Sequence, residues 1–445
     1  MVLLRQFLRQ TAQRIRSSSS SFTSTSSSFS ETAAKRGNVN LLHQTTANIT
    51  FFPRELLKAY KDLSKFRLSM FVVSTATAGA FLGGGIGEKS KRNEEEQAAT
   101  TSASSIEAFT KRIAHVSFGT ALCAFSANSL NQVIERANDA RMARTMRRPL
   151  PSGRLSVAHA LAFSAISGFT GVLWLNENTN AETATLGGGN ILLYTCVYTP
   201  LKQLHWINTW VGAVVGAIPP AMGYAAMQEW GGKEKEKRNN EEVVSFVEEH
   251  AKGFVLPLAV YLWQIPHFMA LAAMGRDDYI RGGYNMLSHP KFDPTLRRVA
   301  NVALRNSLML LPLGFVAVNV GLVASDSTFR YEAIALGTPL VVTAMLFRNK
   351  LNVKSARRMF YGSLAYLPAF QFALCIRNGG QKIVVSDDDK SADDDLVTLL
   401  LTPFIALHNN FLAVRNDNCP SVAMAQEDAE HTHKHKRDHK NIKIY

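Results

Sequence analysis

Between residues 60 and 378 the chain alternates long apolar runs with short, charge-rich ones. Nine apolar runs stand out: 67–86, 110–131, 157–175, 186–200, 207–228, 253–274, 302–324, 331–347 and 358–377. Most come close to the ~20 residues a helix needs to cross a bilayer core, and the fourth is short. A soluble all-α protein would need a polar face on each helix, and these runs mostly lack one. Several contain proline (Pro219, Pro220, Pro257, Pro266, Pro312, Pro339, Pro368), which a helix inside a bundle tolerates because neighbours re-satisfy the freed carbonyls. Small residues recur between Gly79 and Gly85 and at Gly212, Gly216 and Gly223, where helices can approach closely. The pattern predicts an all-α membrane protein, a bundle of about nine transmembrane helices.

Composition sharpens that picture at the two ends. Of 445 residues, 46% are hydrophobic and only 19% charged, below the roughly 25% usual for soluble domains. Arg5, Arg9, Arg14 and Arg16 precede a serine-rich tract from Ser17 to Ser30, and Glu31 is the one acid before Arg54. This is the composition of an organellar transit peptide, assigned to residues 1–50 and expected to be disordered. The membrane domain is expected over 54–378. Residues 379–445 carry acidic clusters at Asp387–Asp389 and Asp393–Asp395 and end in His431, His433, His435 and His439 among lysines. They read as a mostly disordered, solvated tail rather than a metal site. Leu396–Leu407 is apolar but short for a span. The polar stretches Glu88–Glu96 and Gly231–Glu249 read as loops. Of the four cysteines, Cys123, Cys196 and Cys375 lie in apolar runs and read as small core residues, with Cys419 in the tail.

The net charge of +14 could suggest nucleic acid, but its placement does not. Residues 54–67, 131–157, 200–208, 275–301 and 348–358 hold 22 Lys+Arg against 7 Asp+Glu. The intervening loops, 86–112, 176–184, 228–253 and 325–333, hold 11 against 16. The positive-inside rule thus agrees with nine helices and turns the first face toward the matrix or its equivalent.

Acids at the end of a membrane helix are costly without a partner, which makes each a functional lead. The richest block runs from Asn131 to Arg154. Asn131, Glu135 and Asp139 are spaced by four, which in a helix lines three oxygen donors along one face, about 6 Å apart. Oxygen donors suit a hard cation such as Mg2+, which takes few carboxylates plus water and substrate phosphates. Six arginines from Arg136 to Arg154 share the block and suit a polyanion. Together they describe a metal–diphosphate site. A second block, Trp263 to Tyr284, ends the sixth run on the same face and carries His267, Asp277 and Asp278. Adjacent aspartates point in different directions on a helix, so one of the two is expected to be a direct ligand.

These residues resemble a known family. Asn131-x3-Glu135-x3-Asp139 followed by Arg144-Thr-x-x-Arg-Pro-Leu-Pro-Ser-Gly153 is similar to the first acidic motif of UbiA-type membrane prenyltransferases. Tyr198-Thr-Pro-Leu-Lys202, the run Asn208–Pro220, and Trp263-Gln-x-Pro-His267-Phe through Asp278-Tyr-x-x-Gly-Gly resemble the branch that farnesylates protohaem. The resemblance covers about residues 60–378. It implies transfer of a farnesyl group from farnesyl diphosphate to a vinyl group of haem b, giving haem O for haem A synthesis and cytochrome c oxidase assembly. It also implies Mg2+ held by Asn131, Glu135, Asp139 and Asp278, with Asp277 beside them, and diphosphate contacts from Arg144, Arg148 and Lys202. The setting would be the mitochondrial inner membrane, with the site toward the matrix and a haem A synthase as partner.

Two departures stand out. Glu135 occupies a position where many family members have Asp, and Met274 stands four residues before Asp278 where the general family often has a second Asp. His267, eleven residues before Asp278, would lie about 16 Å deeper on an unbroken helix and is the candidate for an acceptor contact. Other UbiA-type acceptors, a quinone precursor or chlorophyllide, share the metal site. A transporter would instead carry its acids near mid-span.

Overall fold

The computed structural model describes residues 53–84, 98–228, 240–324 and 328–379. The expected transit segment, the C-terminal tail with Leu396–Leu407, and the Glu88–Glu96 stretch lie outside the described residues. The chain divides into two compact units, 1–57 and 58–445, and the first is described only from Pro53.

Every regular element among the described residues is helical. The order is α1 (Pro53–Leu63), α2 (Phe66–Gly83), α3 (Ala98–Ile134), α4 (Arg136–Asp139), α5 (Val157–Asn178), α6 (Ala181–Leu192), a π-helical stretch (Leu193–Tyr198) and α7 (Thr199–Leu204). After these come α8 (Asn208–Met227), α9 (Asn240–Met274), α10 (Arg276–Arg281), α11 (Arg297–Met309), α12 (Leu313–Asn319), α13 (Phe329–Lys350) and α14 (Val353–Gly379).

Seven helical segments among the described residues are long and apolar enough to cross a membrane: α2, α5, α8, the His250–Met274 part of α9, α11 with α12, α13 and α14. The other two expected segments are also helical, but each departs from a simple span. Helix α3 carries Glu107, Lys111, Arg112 and many hydroxyl and amide side chains. The α6–α7 segment is interrupted by the π turn that precedes Pro200. Helix α9 begins at Asn240, so the second half of the stretch expected as a loop over Gly231–Glu249 is helix. Ile166 (68% exposed) and Phe169 (70% exposed) stand outward on α5, an apolar surface suited to lipid rather than water.

Local signals fix several ends. Ser156 caps α5 by accepting from the His159 N–H, and Asn180 caps α6 through the Thr183 N–H. The core is shared mainly by α2, α8, α9, α11, α13 and α14. The α2–α8 contact is backbone against backbone. A Cβ at Gly223 would collide with the Ala76 carbonyl, and one at Gly79 with the Pro220 carbonyl. Close approach of this kind is what small residues permit where no hydrophobic effect drives helices together. Cys123 and Cys375 are buried as expected, but Cys196 is exposed, because the π stretch turns it outward from the bundle.

Candidate active site

One end of the bundle gathers the acids and bases that the sequence singled out. Helix α3 stops at Ile134, and Glu135 (φ −89°, ψ 4°) leaves helical dihedrals before the short α4. The face of Asn131, Glu135 and Asp139 is therefore kinked rather than drawn on one unbroken helix. Its four-residue stacking survives, because the Glu135 N–H donates to the Asn131 carbonyl (2.9 Å) and the Asp139 N–H to the Glu135 carbonyl (2.8 Å). Asn131, Glu135 and Asp139 are all buried.

Each of the three meets a cation from elsewhere in the chain. Lys65 Nζ donates to Asn131 Oδ1 at 2.6 Å, Lys202 Nζ bridges to Glu135 Oε1 at 3.0 Å, and Arg148 Nη1 reaches Asp139 Oδ2 at 2.7 Å. Lys65 sits in the left-handed region (φ 47°, ψ 51°) at the joint of α1 and α2, a conformation costing a non-glycine residue about 1–2 kcal/mol. Strain of that size in a residue whose side chain bonds the buried Asn131 is what functional sites often hold.

The π stretch sets the opposite wall. It places Tyr194 and Tyr198 side by side (ring centroids 5.4 Å), with the Lys202 ammonium 4.4 Å from the Tyr198 ring centre and Lys65 6.0 Å from that of Tyr194. Single π turns inside helices often occur at functional sites. Thr199 ties the wall to Asn131 by accepting from its Nδ2 at 3.0 Å.

The second block joins the first. Asp278 accepts at Oδ1 from the Ala143 N–H (3.0 Å) and from Arg281 Nη2 (2.5 Å), and at Oδ2 from the Arg144 N–H (3.2 Å). Asn138 Nδ2 donates to the Gly282 carbonyl at 2.6 Å, and the Asn285 N–H to the Lys202 carbonyl at 2.8 Å. Arg144 lies over the Tyr279 ring, 5.6 Å from its centre. Asp278 thus clamps the arginine-bearing loop to α10. Asp277 is exposed and makes no ion pair among the described residues.

The electrostatics are those of an anion site. Burial works against the Glu135 carboxylate, but Lys202 and Lys65 outweigh it and hold the group below the ordinary carboxylate range. Burial, followed by the charges of Arg148 and Lys202, pushes the Lys65 ammonium well below the usual lysine range. With Lys65 protonated, three cations would face two carboxylates here, and a polyanion would both relieve that excess and favour the charged lysine.

A divalent cation also fits the donor chemistry. The ion pairs use one oxygen of each acid and leave Glu135 Oε2 and Asp139 Oδ1 outside these bonds. No group of three His, Cys, Asp or Glu gathers among the described residues. Two carboxylates and an amide oxygen match a Mg2+ ion that completes its shell from phosphate and water.

His267 lies apart from this cluster. Its ring is stacked between Trp263 (centroids 5.0 Å, 22°) and Phe360 (4.6 Å, 28°), and Nδ1 is 2.8 Å from Ser363 Oγ. Helix α9 ends at Met274 and the helical path is interrupted at Gly275 (φ −98°, ψ 23°), so the unbroken-helix depth expected for His267 relative to Asp278 does not apply. Sequence reasoning did not single out Lys65, the π-turn tyrosines as a pair, Arg281 or Ser363. Lys65 was marked only by its place among basic residues at a span entrance.

A bundle of membrane-length helices with a buried acid–base cluster at one end fits an integral membrane enzyme with a site for an anionic group. Residues 98–365 match the UbiA prenyltransferase family, and the chain belongs to that family. It is 43% identical over 333 residues to the mitochondrial protoheme IX farnesyltransferase of Arabidopsis thaliana, covering 74% of this chain and 68% of that one. It is 31% identical over 381 residues to the mitochondrial protein of the same name in Gibberella zeae, covering 84% and 72%. A solved structure from work on digeranylgeranylglyceryl phosphate synthase in membranes shares the fold, with a TM-score of 0.53 and 13% identity, covering 72% of this chain and 98% of that one.

Proposed function

We propose that this protein transfers the farnesyl group of farnesyl diphosphate to a vinyl group of haem b, producing haem O at the matrix face of the mitochondrial inner membrane. The observation that carries the reading is the buried cluster of Asn131, Glu135 and Asp139 bridged to Lys65, Lys202 and Arg148. The names of the Arabidopsis and Gibberella relatives supply the donor and acceptor.

Lys65, Lys202, Arg144 and Arg148 bind the diphosphate oxygens, and the positive excess between them draws the anion in. As the C1–O bond breaks, the charge that develops on the leaving diphosphate meets cations already in place, the kind of stabilisation that costs no reorganisation at the moment of reaction. Asn131, Glu135 and Asp139 would hold Mg2+, which when bound neutralises further charge on the leaving group. Asp278 keeps the arginine loop in position. The vinyl group's terminal carbon bonds to C1, and water adds to the adjacent carbon with loss of a proton, giving the hydroxyethylfarnesyl side chain. The apolar helices shelter the isoprenoid chain and keep water from the allylic cation until the acceptor is aligned.

Product analysis tests this. Purified protein in detergent, given haem b, farnesyl diphosphate and Mg2+, forms haem O identified by mass, and Asp139→Ala forms none. A prenylated quinone precursor or chlorophyllide, with haem b untouched, would refute the acceptor. No prenyl transfer to any acceptor would refute the reaction.

A further inference from the structure

About two helical turns below the acid cluster, four aromatic rings form a line across three helices. Phe71 of α2 meets Trp263 of α9 (5.5 Å), Trp263 stacks on His267, and His267 stacks on Phe360 of α14. Phe71 is six residues past Lys65, His267 seven before the end of α9, and Phe360 seven past the start of α14. At 1.5 Å per residue all three lie about 8–11 Å in from their helix ends, Phe71 being five residues past the first of α2.

Ser363, fully buried on α14, pins this line. Its carbonyl accepts from Trp263 Nε1 at 2.5 Å, and its hydroxyl donates to the Phe360 carbonyl at 2.7 Å. A hydroxyl has one hydrogen, and here it is committed to that carbonyl. Toward His267 the oxygen is left as an acceptor, so the imidazole carries its proton on Nδ1. Nε2 then bears a lone pair, and no hydrogen bond engages it among the described residues. Both ring faces are covered, by Trp263 and Phe360, which leaves the edge as the route to this nitrogen.

We infer that His267, fixed as the Nδ1–H tautomer by Ser363, presents Nε2 as the axial ligand to the iron of the haem acceptor. The inference rests on the proposed function. Iron binds a neutral imidazole nitrogen edge-on, and a ligating histidine usually donates its other N–H to an oxygen that sets its orientation. A macrocycle held by its iron at this depth carries its vinyl groups on its rim, where one can turn toward the prenyl C1 beneath the diphosphate. Ser363 is a positioning residue acting through the imidazole.

The test uses full-length protein in detergent titrated with ferric haem b. Wild type gives the absorption and resonance Raman signature of histidine-ligated haem. His267→Ala loses that signature and binds haem at least tenfold more weakly, free imidazole restores the signature, and farnesyl diphosphate binding and thermal stability hold. Ser363→Ala keeps ligation but lowers the ferrous iron–histidine stretching frequency, and Ser363→Thr restores it. If wild type makes haem O while His267→Ala keeps the wild-type spectrum and affinity, this inference is wrong and the proposed function stands. A wild type that binds no haem and prenylates another acceptor overturns both.

Discussion

Breaking the Glu135–Lys202 pair gives a prediction whose sign and order follow from the charges around it. The two groups are 3.0 Å apart, with side chains only 4% and 13% exposed. At an effective dielectric near 20 their gross attraction is about 5–6 kcal/mol. Desolvation offsets much of that, but removing one partner leaves an uncompensated buried charge, at a cost of about 3–5 kcal/mol. The two single variants should not be equal. Lys202→Met leaves Glu135 still facing Lys65 and Arg148, so its loss falls near the lower bound. Glu135→Gln leaves Lys65, Lys202 and Arg148 with Asp139 as their nearest acid, so its loss is the larger. Thermal unfolding in detergent reads the effect as a fall on the order of 10 °C, at about 2–4 °C per kcal/mol. Inorganic pyrophosphate should recover more of the Glu135→Gln loss than of the Lys202→Met loss, because the first variant holds the greater cation excess. The double variant should lose less than the sum of the two singles. Additive losses within about 0.5 kcal/mol, or single losses under about 1 kcal/mol, would refute the reasoning.

Three further outcomes follow from the same geometry. Lys65→Met should raise KM for farnesyl diphosphate about 10–100-fold, the worth of one hydrogen bond to a charged group, and Lys65→Arg should recover most of it in steady-state assays. Gly223→Ala should cost about 1–3 kcal/mol by driving a methyl into the Ala76 carbonyl, whereas Gly189→Ala, with open space around it inside α6, should hold or raise the melting temperature. Burial opposes ionisation of Asp278, but the Arg281 hydrogen bond and the Arg144 and Ala143 N–H groups outweigh it and hold the carboxyl below its ordinary range. Its folded pKa is thus depressed, so its stabilisation is complete above the unfolded value of about 4 and is lost as pH falls through the lower folded value. Melting curves should show wild type more stable than Asp278→Asn at neutral pH, with the gap closing at acid pH.

Much of the bundle was legible because membrane helices leave strong marks: apolar length, small residues and charge asymmetry. Gly79 and Gly223 could be read as close-approach positions, and they do bring α2 and α8 together. The α3 and α6–α7 segments were less simple to read. Their helicity was visible, but α3 mixes polar residues into its length, and the π turn before Pro200 leaves no clear periodicity to find. The same turn exposes Cys196, which its apolar neighbours had suggested was core. At the site, the spacing of Asn131, Glu135 and Asp139 revealed a cluster, because charge at a span end is rare enough to carry information. Their partners were harder to see. Lys65 is one basic residue among several at a span entrance, and only the left-handed turn at the α1–α2 joint selects it. Ser363 is one hydroxyl in an apolar helix, and its role appears only when α14 packs on α9.

A divalent ion held by Asn131, Glu135 and Asp139 against the substrate's diphosphate can be read by magnetic resonance. Mn2+ in place of Mg2+, with an unreactive farnesyl thiodiphosphate, allows pulsed electron–nuclear double resonance to read phosphorus coupling to the metal directly. Strong 31P coupling is expected in wild type and disappears in Glu135→Gln/Asp139→Asn. Coupling that persists unchanged in that double variant would contradict this placement of the ion.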